Sequence, residues 1–272
     1  MSGNSAAFIG SIPKDYDQGL GPVIFADYAR VMAQRAVAGP VSRVLETACG
    51  TGILTRALLD ALPSSANLMA TDLNADMLKV AQAKIRPREA VEFRAADGTA
   101  LPFPDTSFDV MVCQFGMMFY PDKDKGFREA HRVLVPGGRY LFSVWDAHRH
   151  NPFGRITHAV IGSFFPTDPP QFYAVPFSYH AIDPVKESLI AAGFADIVIS
   201  VLRREPQVQD FTAFTRGVIF GNPVLDQIVQ RGGIEPSKVQ DAVAAAMRKE
   251  FGQEPASMPL QAIIFEARKQ LV

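Results

Sequence analysis

Cysteine is scarce in this sequence, and the shortage limits the kinds of protein it encodes. The chain has 272 residues, of which only two are cysteine, Cys49 and Cys113. A disulfide framework or a structural zinc site needs more cysteines than that. We therefore expect neither, and we expect no metal site.

Excess charge and long apolar runs are also missing. The net charge is −1, which gives no general reason to expect nucleic acid or an anionic membrane as a partner. No run approaches the roughly 20 apolar residues of a membrane span. The first 14 residues are small and polar and do not resemble a signal peptide, so we expect a cytoplasmic protein. Hydrophobic residues make up 48%, enough for a sizeable core.

Strand and helix patterns alternate along the middle of the chain. The strand patterns lie at 41–47, 67–72, 91–95, 108–113, 139–146, 197–202 and 260–267, and helical patterns at 53–62, 75–85, 123–134 and 184–192. Asn74 and Asp122 are candidate N-caps, and Pro136-Gly137-Gly138 is expected to end the third of these helices. Such alternation predicts an α/β fold with a largely parallel sheet.

We expect one domain, 1–272, built from a core and three additions. The core is 41–146 and the last strand is 260–267. The additions are an N-terminal arm, 8–39, with a helix at 22–37, and two cap segments, 147–181 and 207–256. Ligands of open α/β sheets bind beyond the carboxyl ends of the strands, where the additions are expected to meet.

A glycine turn follows the first strand pattern and carries the most specific information. The turn reads Glu46-Thr-Ala-Cys-Gly50-Thr-Gly52, and Asp72 ends the next strand pattern about twenty residues later, a spacing typical of a ribose-binding carboxylate. Thr55 stands where a dinucleotide fingerprint has its third glycine, and no Walker loop follows. A carboxylate at Glu46 suits a cofactor with an ammonium and a sulfonium better than a pyrophosphate. These residues favour S-adenosylmethionine (SAM) over NAD, although a purely structural turn remains an alternative.

Four ordered motifs resemble those of class I SAM-dependent methyltransferases. They lie at 44–55, at 96–103 with 107–110, at 115–116, and at 122–138. The sequence is most similar to the small-molecule branch that includes the ubiquinone/menaquinone C-methyltransferases (methyltransferase type 11). The resemblance implies a Rossmann-like fold, with a seven-stranded, mostly parallel sheet, an antiparallel last strand and a partly helical cap. It also implies methyl transfer from SAM, with S-adenosylhomocysteine (SAH) as product.

The resemblance further implies a set of cofactor-binding positions. Asp72 is expected to bind the ribose, Glu46 the ammonium, and Thr55 the carboxylate end of the cofactor. Each position also has a structural alternative, such as a strand cap, a turn or a core residue. The complete set is Glu46, Ala48, Gly50, Gly52, Thr55, Asp72, Leu73, Met77, Asp97, Gly98 and Gln114.

Acceptor and catalytic residues are less clearly indicated. Candidates for a general base are Asp146, His148, His150 and Tyr16, and an exposed or structural role is the alternative for each. The apolar residues 117–120 and the aromatic-rich segment 147–181 favour a small apolar or aromatic acceptor, unless they form the core of the cap. Related quinone methyltransferases have an Arg-Asn pair near Met118 and Phe119 that this sequence lacks.

Two other functions remain open. An intact cofactor motif also fits a SAM- or SAH-binding protein without turnover, and a nicotinamide dehydrogenase is a third hypothesis that Thr55 disfavours. The expected partners are a small-molecule substrate, no nucleic acid, and a second copy of the chain in a homodimer.

Overall fold

A seven-stranded sheet forms the centre of the molecule. The computed structural model describes residues 6–87 and 89–271. The strands are β1 (Arg43–Glu46), β2 (Asn67–Asp72), β3 (Val91–Ala95), β4 (Phe108–Gln114), β5 (Leu134–Trp145), β6 (Phe194–Arg204) and β9 (Leu260–Lys269). Their order is β3-β2-β1-β4-β5-β9-β6, and β9 is antiparallel to both neighbours. The predicted class, a mostly parallel sheet with an antiparallel last strand, is confirmed.

The central strands are mostly apolar between their ends because both faces of the sheet are covered. In β4, Val110 and Val112 face one side, where they pack with helices α2 (Ala26–Ala36) and α3 (Ile53–Ala61). Met111 and Cys113 face the other side, where the core includes residues of α5 (Lys123–Val133) and α7 (Ile182–Ala191). The alternation along one strand thus places helices on both faces.

Some predicted helix ends differ from the structure. The side chain of Asp122 does cap α5, accepting a hydrogen bond from Lys125 N at 2.8 Å, but Asn74 makes no such bond at the start of α4 (Ala75–Gln82). The third predicted helix ends before Pro136-Gly137-Gly138, because Leu134 already pairs with Phe108 in the sheet. The proline-glycine segment is therefore an irregularity within β5 and not a helix stop.

The N-terminal arm contains more helical elements than the single helix that was predicted over 22–37. It consists of α1 (Ile12–Gly19), a π-helical turn (Gly21–Phe25) and then α2. Gly19 lies directly against Gly217 of α8 (Phe211–Phe220), since a Cβ on Gly19 would come within 2.6 Å of Gly217 Cα. This close contact fixes α1 on the cap.

The cap is mainly helical, as predicted. Its helices are α6 (Pro152–Phe164), α8, α9 (Val224–Arg231) and α10 (Pro236–Phe251), and α10 packs on both α6 and α8. Two short strands, β7 (Gln207–Val208) and β8 (Ala256–Ser257), pair with each other and were not predicted. Two residues are too few to show an alternating pattern. No helix in the described residues is long and apolar enough to cross a membrane.

Candidate cofactor and acceptor site

A cavity of about 310 Å³ lies at the carboxyl ends of β1, β2 and β4. The glycine turn after β1 forms one wall, with Ala48, Gly50 and Gly52 all at positive φ (52°, 56° and 81°). A non-glycine residue such as Ala48 adopts this conformation only at a cost. A Cβ on Gly50 would meet no atom within 4 Å, so the backbone there faces open space.

Eight of the eleven predicted cofactor positions line this cavity. They are Ala48, Gly50, Asp72, Leu73, Met77, Asp97, Gly98 and Gln114. They come from four separate stretches of sequence, which the parallel sheet brings to one edge.

Asp72 lies at the tip of β2 with its carboxylate held on both sides. Oδ2 accepts a hydrogen bond from Gly50 N at 2.8 Å, and Oδ1 accepts one from Asn74 N at 2.8 Å. Burial raises the pKa of this carboxyl, while the bonds from Asn74 and Gly50 oppose the rise. The side chain is therefore fixed in the cavity wall, where ribose hydroxyls can donate to its remaining lone pairs.

Glu46 and Gln114 leave buried oxygens without partners. Glu46 Oε1 and Gln114 Oε1 are both buried and unpaired in the described structure, and both residues line a small adjoining cavity of about 30 Å³. Burial raises the pKa of Glu46 to about 8. An unpaired buried oxygen is costly, so each of these oxygens requires a hydrogen-bond partner. The Glu46 carboxyl holds a proton at neutral pH without a ligand, and a cation beside it would favour its ionised, accepting form. The ammonium of the predicted cofactor fits that requirement.

Thr55 and Gly52 do not line the main cavity in the described structure. The Thr55 hydroxyl donates to Glu46 Oε2 at 2.7 Å and is fully buried, so it is not available for the carboxylate end of a cofactor. Gly52 is the residue before α3, and a Cβ there would lie 3.0 Å from Ala81 Cβ. Both residues support the turn, and their direct contact with a cofactor stays a prediction.

The side of the cavity where adenine is expected is formed less completely. Met77 is buried, whereas Leu73 is 58% exposed. Asp97 is exposed, and its Oδ1 accepts hydrogen bonds from Thr99 N and Thr99 Oγ1, both at 2.8 Å. Asp97 therefore forms a turn and also borders the cavity, so both of its proposed roles are compatible with the structure.

A second cavity, the aromatic chamber, adjoins the first. Its volume is about 50 Å³, and its wall includes Trp145, Phe153 and Phe177. The chamber and the cofactor cavity share four lining residues, Phe8, Tyr16, Phe115 and Phe119. Residues of the arm, of 147–181 and of 207–256 all contribute, so the three additions meet here as the sequence predicts. Of 117–120, Met118 and Phe119 line the chamber, while Tyr120 lines the cofactor cavity.

Three of the four candidate bases lie outside both cavities in the described structure. Asp146 accepts hydrogen bonds from Ala147 N at 2.6 Å and from Gln261 Nε2 at 2.7 Å. His148 contacts the Tyr173 carbonyl at 2.9 Å, and Arg149 Nε donates to His150 at 2.9 Å. Asp146 thus bonds to β9 and His148 to the cap, and because none of the three side chains lines either cavity, the described structure gives no support to a role as base. Tyr16 does line both cavities.

Two residues that line the cofactor cavity were not predicted from the sequence. Phe8 and Asn74 both border the cofactor cavity. Phe8 lies far from the motifs in sequence, and only the folding of the arm over the sheet brings it there. Asn74 directly follows Leu73, and its position beside Asp72 was a usable indication. The described residues contain no group of three metal-ligating side chains.

Comparisons with known proteins point in one direction. Residues 45–142 match the family model described as a methyltransferase domain. The chain is 29% identical over 195 residues to the ubiquinone/menaquinone biosynthesis C-methyltransferase UbiE of Shewanella oneidensis, covering 67% of this chain and 73% of the relative.

Solved structures agree on the fold. The YcgJ protein of Bacillus subtilis aligns with a TM-score of 0.58 at 20% identity, over 90% of this chain and 99% of its own. A putative methyltransferase of Bacillus halodurans aligns with a TM-score of 0.57 at 21% identity and the same coverage. At these identities the structural likeness shows the fold alone.

Proposed function

Because this chain is a SAM-dependent methyltransferase, we propose that its acceptor is a small organic molecule with an apolar or aromatic body. The observation that carries the proposal is the wall shared by the cofactor cavity and the aromatic chamber. A molecule in the chamber lies next to a cofactor in the neighbouring cavity. Apolar and aromatic linings favour apolar ligands.

The residues of the larger cavity fit SAM. In this proposal Asp72 holds the ribose, Met77 and Leu73 flank the adenine, and the two unpaired oxygens of Glu46 and Gln114 accept from the ammonium. When bound, SAM supplies a methyl group on a positively charged sulfur that needs no further activation. Glu46 would hold the amino-acid part and Asp72 the ribose, on either side of the sulfur, and together they would fix where that methyl group lies.

The remaining task of the protein is alignment and exclusion of water. Orienting two reactants contributes roughly 7–11 kcal/mol in favourable cases. The rings that close the chamber are in mutual contact: Phe115 stacks on Trp145 at 4.0 Å, and Phe119 stacks on Phe172 at 6.1 Å. An acceptor enters by displacing some of these side chains, so the chamber adapts to its shape.

The proposal is tested with a panel of acceptors and one chamber variant. Purified protein is incubated with SAM and with small aromatic, aliphatic and strongly charged acceptors, and SAH release is measured. We expect SAH with apolar members, including weakly acidic phenols, and none with members whose charge is permanent, such as quaternary ammonium ions or phosphates. Met118→Phe fills part of the chamber without altering the larger cavity, so we expect a raised acceptor KM and an unchanged SAH Kd.

The matched control is Met247→Phe, which makes the same change in a buried position of α10 outside both cavities. It controls for general overpacking and is expected to leave acceptor KM unchanged. Turnover confined to charged or macromolecular acceptors would contradict the proposal. SAH binding with silence across the whole panel would instead favour a binding protein without turnover.

A further inference from the structure

We infer that the acceptor is bound as an oxygen anion, a phenolate or an enolate, whose oxygen receives a hydrogen bond from the Tyr16 hydroxyl. The inference rests on the proposed function, because it concerns the same chamber. Tyr16 is the key residue of the inference, because its side chain lines the aromatic chamber, the cofactor cavity and the small cavity at Glu46. It lies where acceptor and cofactor meet.

The chamber holds no group that can take a proton from an acceptor. Among its described lining residues there is no carboxylate, imidazole, amine or guanidinium. The polar pair deeper in the wall is already engaged: Tyr173 donates to the Val218 carbonyl at 2.7 Å, and Asn222 donates to Tyr173 Oη at 3.2 Å. An acceptor that reacts here must therefore arrive with its nucleophilic electron pair already free.

Tyr16 acts as a donor and not as a base. Burial, followed by the carboxylates of Asp72 and Asp17, raises the pKa of its hydroxyl well above the ordinary value, and Glu46 is a further carboxyl of the same wall. The ring is held by Phe25, stacked at 5.1 Å, and by Phe8, edge-on at 5.7 Å. A protonated hydroxyl on a fixed ring offers one directed hydrogen bond.

An oxygen anion suits this arrangement better than an amine. A neutral amine has one lone pair, and a hydrogen bond from Tyr16 would occupy the pair that must attack. A phenolate oxygen keeps further lone pairs. Burial and the carboxylates that keep Tyr16 protonated also oppose a bound anion, so binding of a phenolate depends on the positive sulfur of the cofactor, whose attraction is strong in a site of low dielectric. The acceptor's electron pair forms the new bond to the methyl carbon, the broken S–C pair stays on sulfur, and oxygen methylation requires no proton transfer. After attack by a conjugated carbon, the ring proton leaves to water.

The test measures binding of 4-nitrophenol, whose anion absorbs visible light, to two complexes of the full chain. One complex contains SAH, which is neutral at sulfur. The other contains sinefungin, which carries an ammonium near that place. We expect the wild type to take up 4-nitrophenolate more tightly in the sinefungin complex. Tyr16→Phe keeps both ring contacts, and it should weaken this binding ten- to a hundredfold, as expected for the loss of a hydrogen bond to a charged group, with the Kd for SAH unchanged.

Tyr179→Phe is the matched control. Tyr179 is half-buried, and its ring lies 4.9 Å from the Lys123 ammonium, away from both cavities. Removing its hydroxyl should therefore change the affinity for neither 4-nitrophenolate nor SAH. A further expectation is that kcat/KM for methylation of substituted phenols rises with pH through the pKa of each phenol and not through one fixed value.

Four results would overturn the inference. The first two are a 4-nitrophenolate affinity of Tyr16→Phe equal to that of wild type, and weaker binding of SAH by that variant. The other two are failure of the wild type to bind 4-nitrophenolate, and turnover of aniline or thiophenol in preference to phenol. The last result would leave the proposed small apolar acceptor standing, whereas turnover of charged acceptors alone would remove both.

Discussion

Replacing Glu46 by glutamine tests the electrostatics of the site most directly. The carboxyl is buried, its Oε1 is unpaired, and its pKa is raised from 4.5 to about 8. Between these values the folded state holds a proton that the unfolded state has lost. The folded state therefore binds more protons, and its stability falls as the pH rises through this window.

The size of the effect follows from the shift. One pKa unit corresponds to about 1.4 kcal/mol, so the wild type should lose on the order of 4 kcal/mol of unfolding free energy from this group between pH 4.5 and 8. Glu46→Gln keeps the side-chain shape, and its amide oxygen still accepts from Thr55. The variant lacks this dependence, so its stability relative to wild type should increase steadily over the same window.

Urea unfolding at several pH values from 5 to 8 measures the difference between the two proteins. Subtracting the unfolding free energies of the two proteins at each pH removes the contribution of all groups that titrate alike in both. Asp76→Asn is the control: a hydrogen bond from Lys79 lowers the pKa of this partly exposed carboxyl below its ordinary value, so the difference between this variant and wild type should stay constant from pH 5 to 8. A constant difference between wild type and Glu46→Gln would refute the reasoning, because it would show an ordinary pKa in the folded protein.

The other predictions concern neighbouring positions. Asp72→Ala should weaken SAH binding by about 1.5–3 kcal/mol, because hydrogen bonds to a charged group are lost; calorimetry measures it, and Asp76→Ala should leave the Kd unchanged. Gly98→Ala should cost about 1–3 kcal/mol of stability, since its Cβ would lie 2.0 Å from Tyr120 Oη. The same substitution should cost less in a Tyr120→Ala background, and an equal cost in both would show that the clash is not the cause.

Local sequence determined the core of the fold. The strands over 67–72 and 91–95 were predicted with the boundaries that the structure has. The first is a mostly buried run, as expected for an inner parallel strand, and the second is an edge strand in which apolar and charged residues alternate. The glycine turn and Asp72 were recognisable because a tight turn at positive φ restricts which residues can occupy it. The order of the elements then placed these positions at one edge of the sheet.

The tertiary structure alone decided which side chains reach the site. Asp146, His148 and Tyr16 were equivalent candidates by composition, and only the last lines a cavity, since the arm folds back while the residues after β5 bond to β9 and the cap. Thr55 was assigned to a ligand, but packing gave its hydroxyl to Glu46. The sequence by itself thus determined the fold and which residues of the glycine turn and the strand ends line the larger cavity. The acceptor chamber depends on contacts between residues as distant as Phe8 and Phe172, which no local pattern encodes.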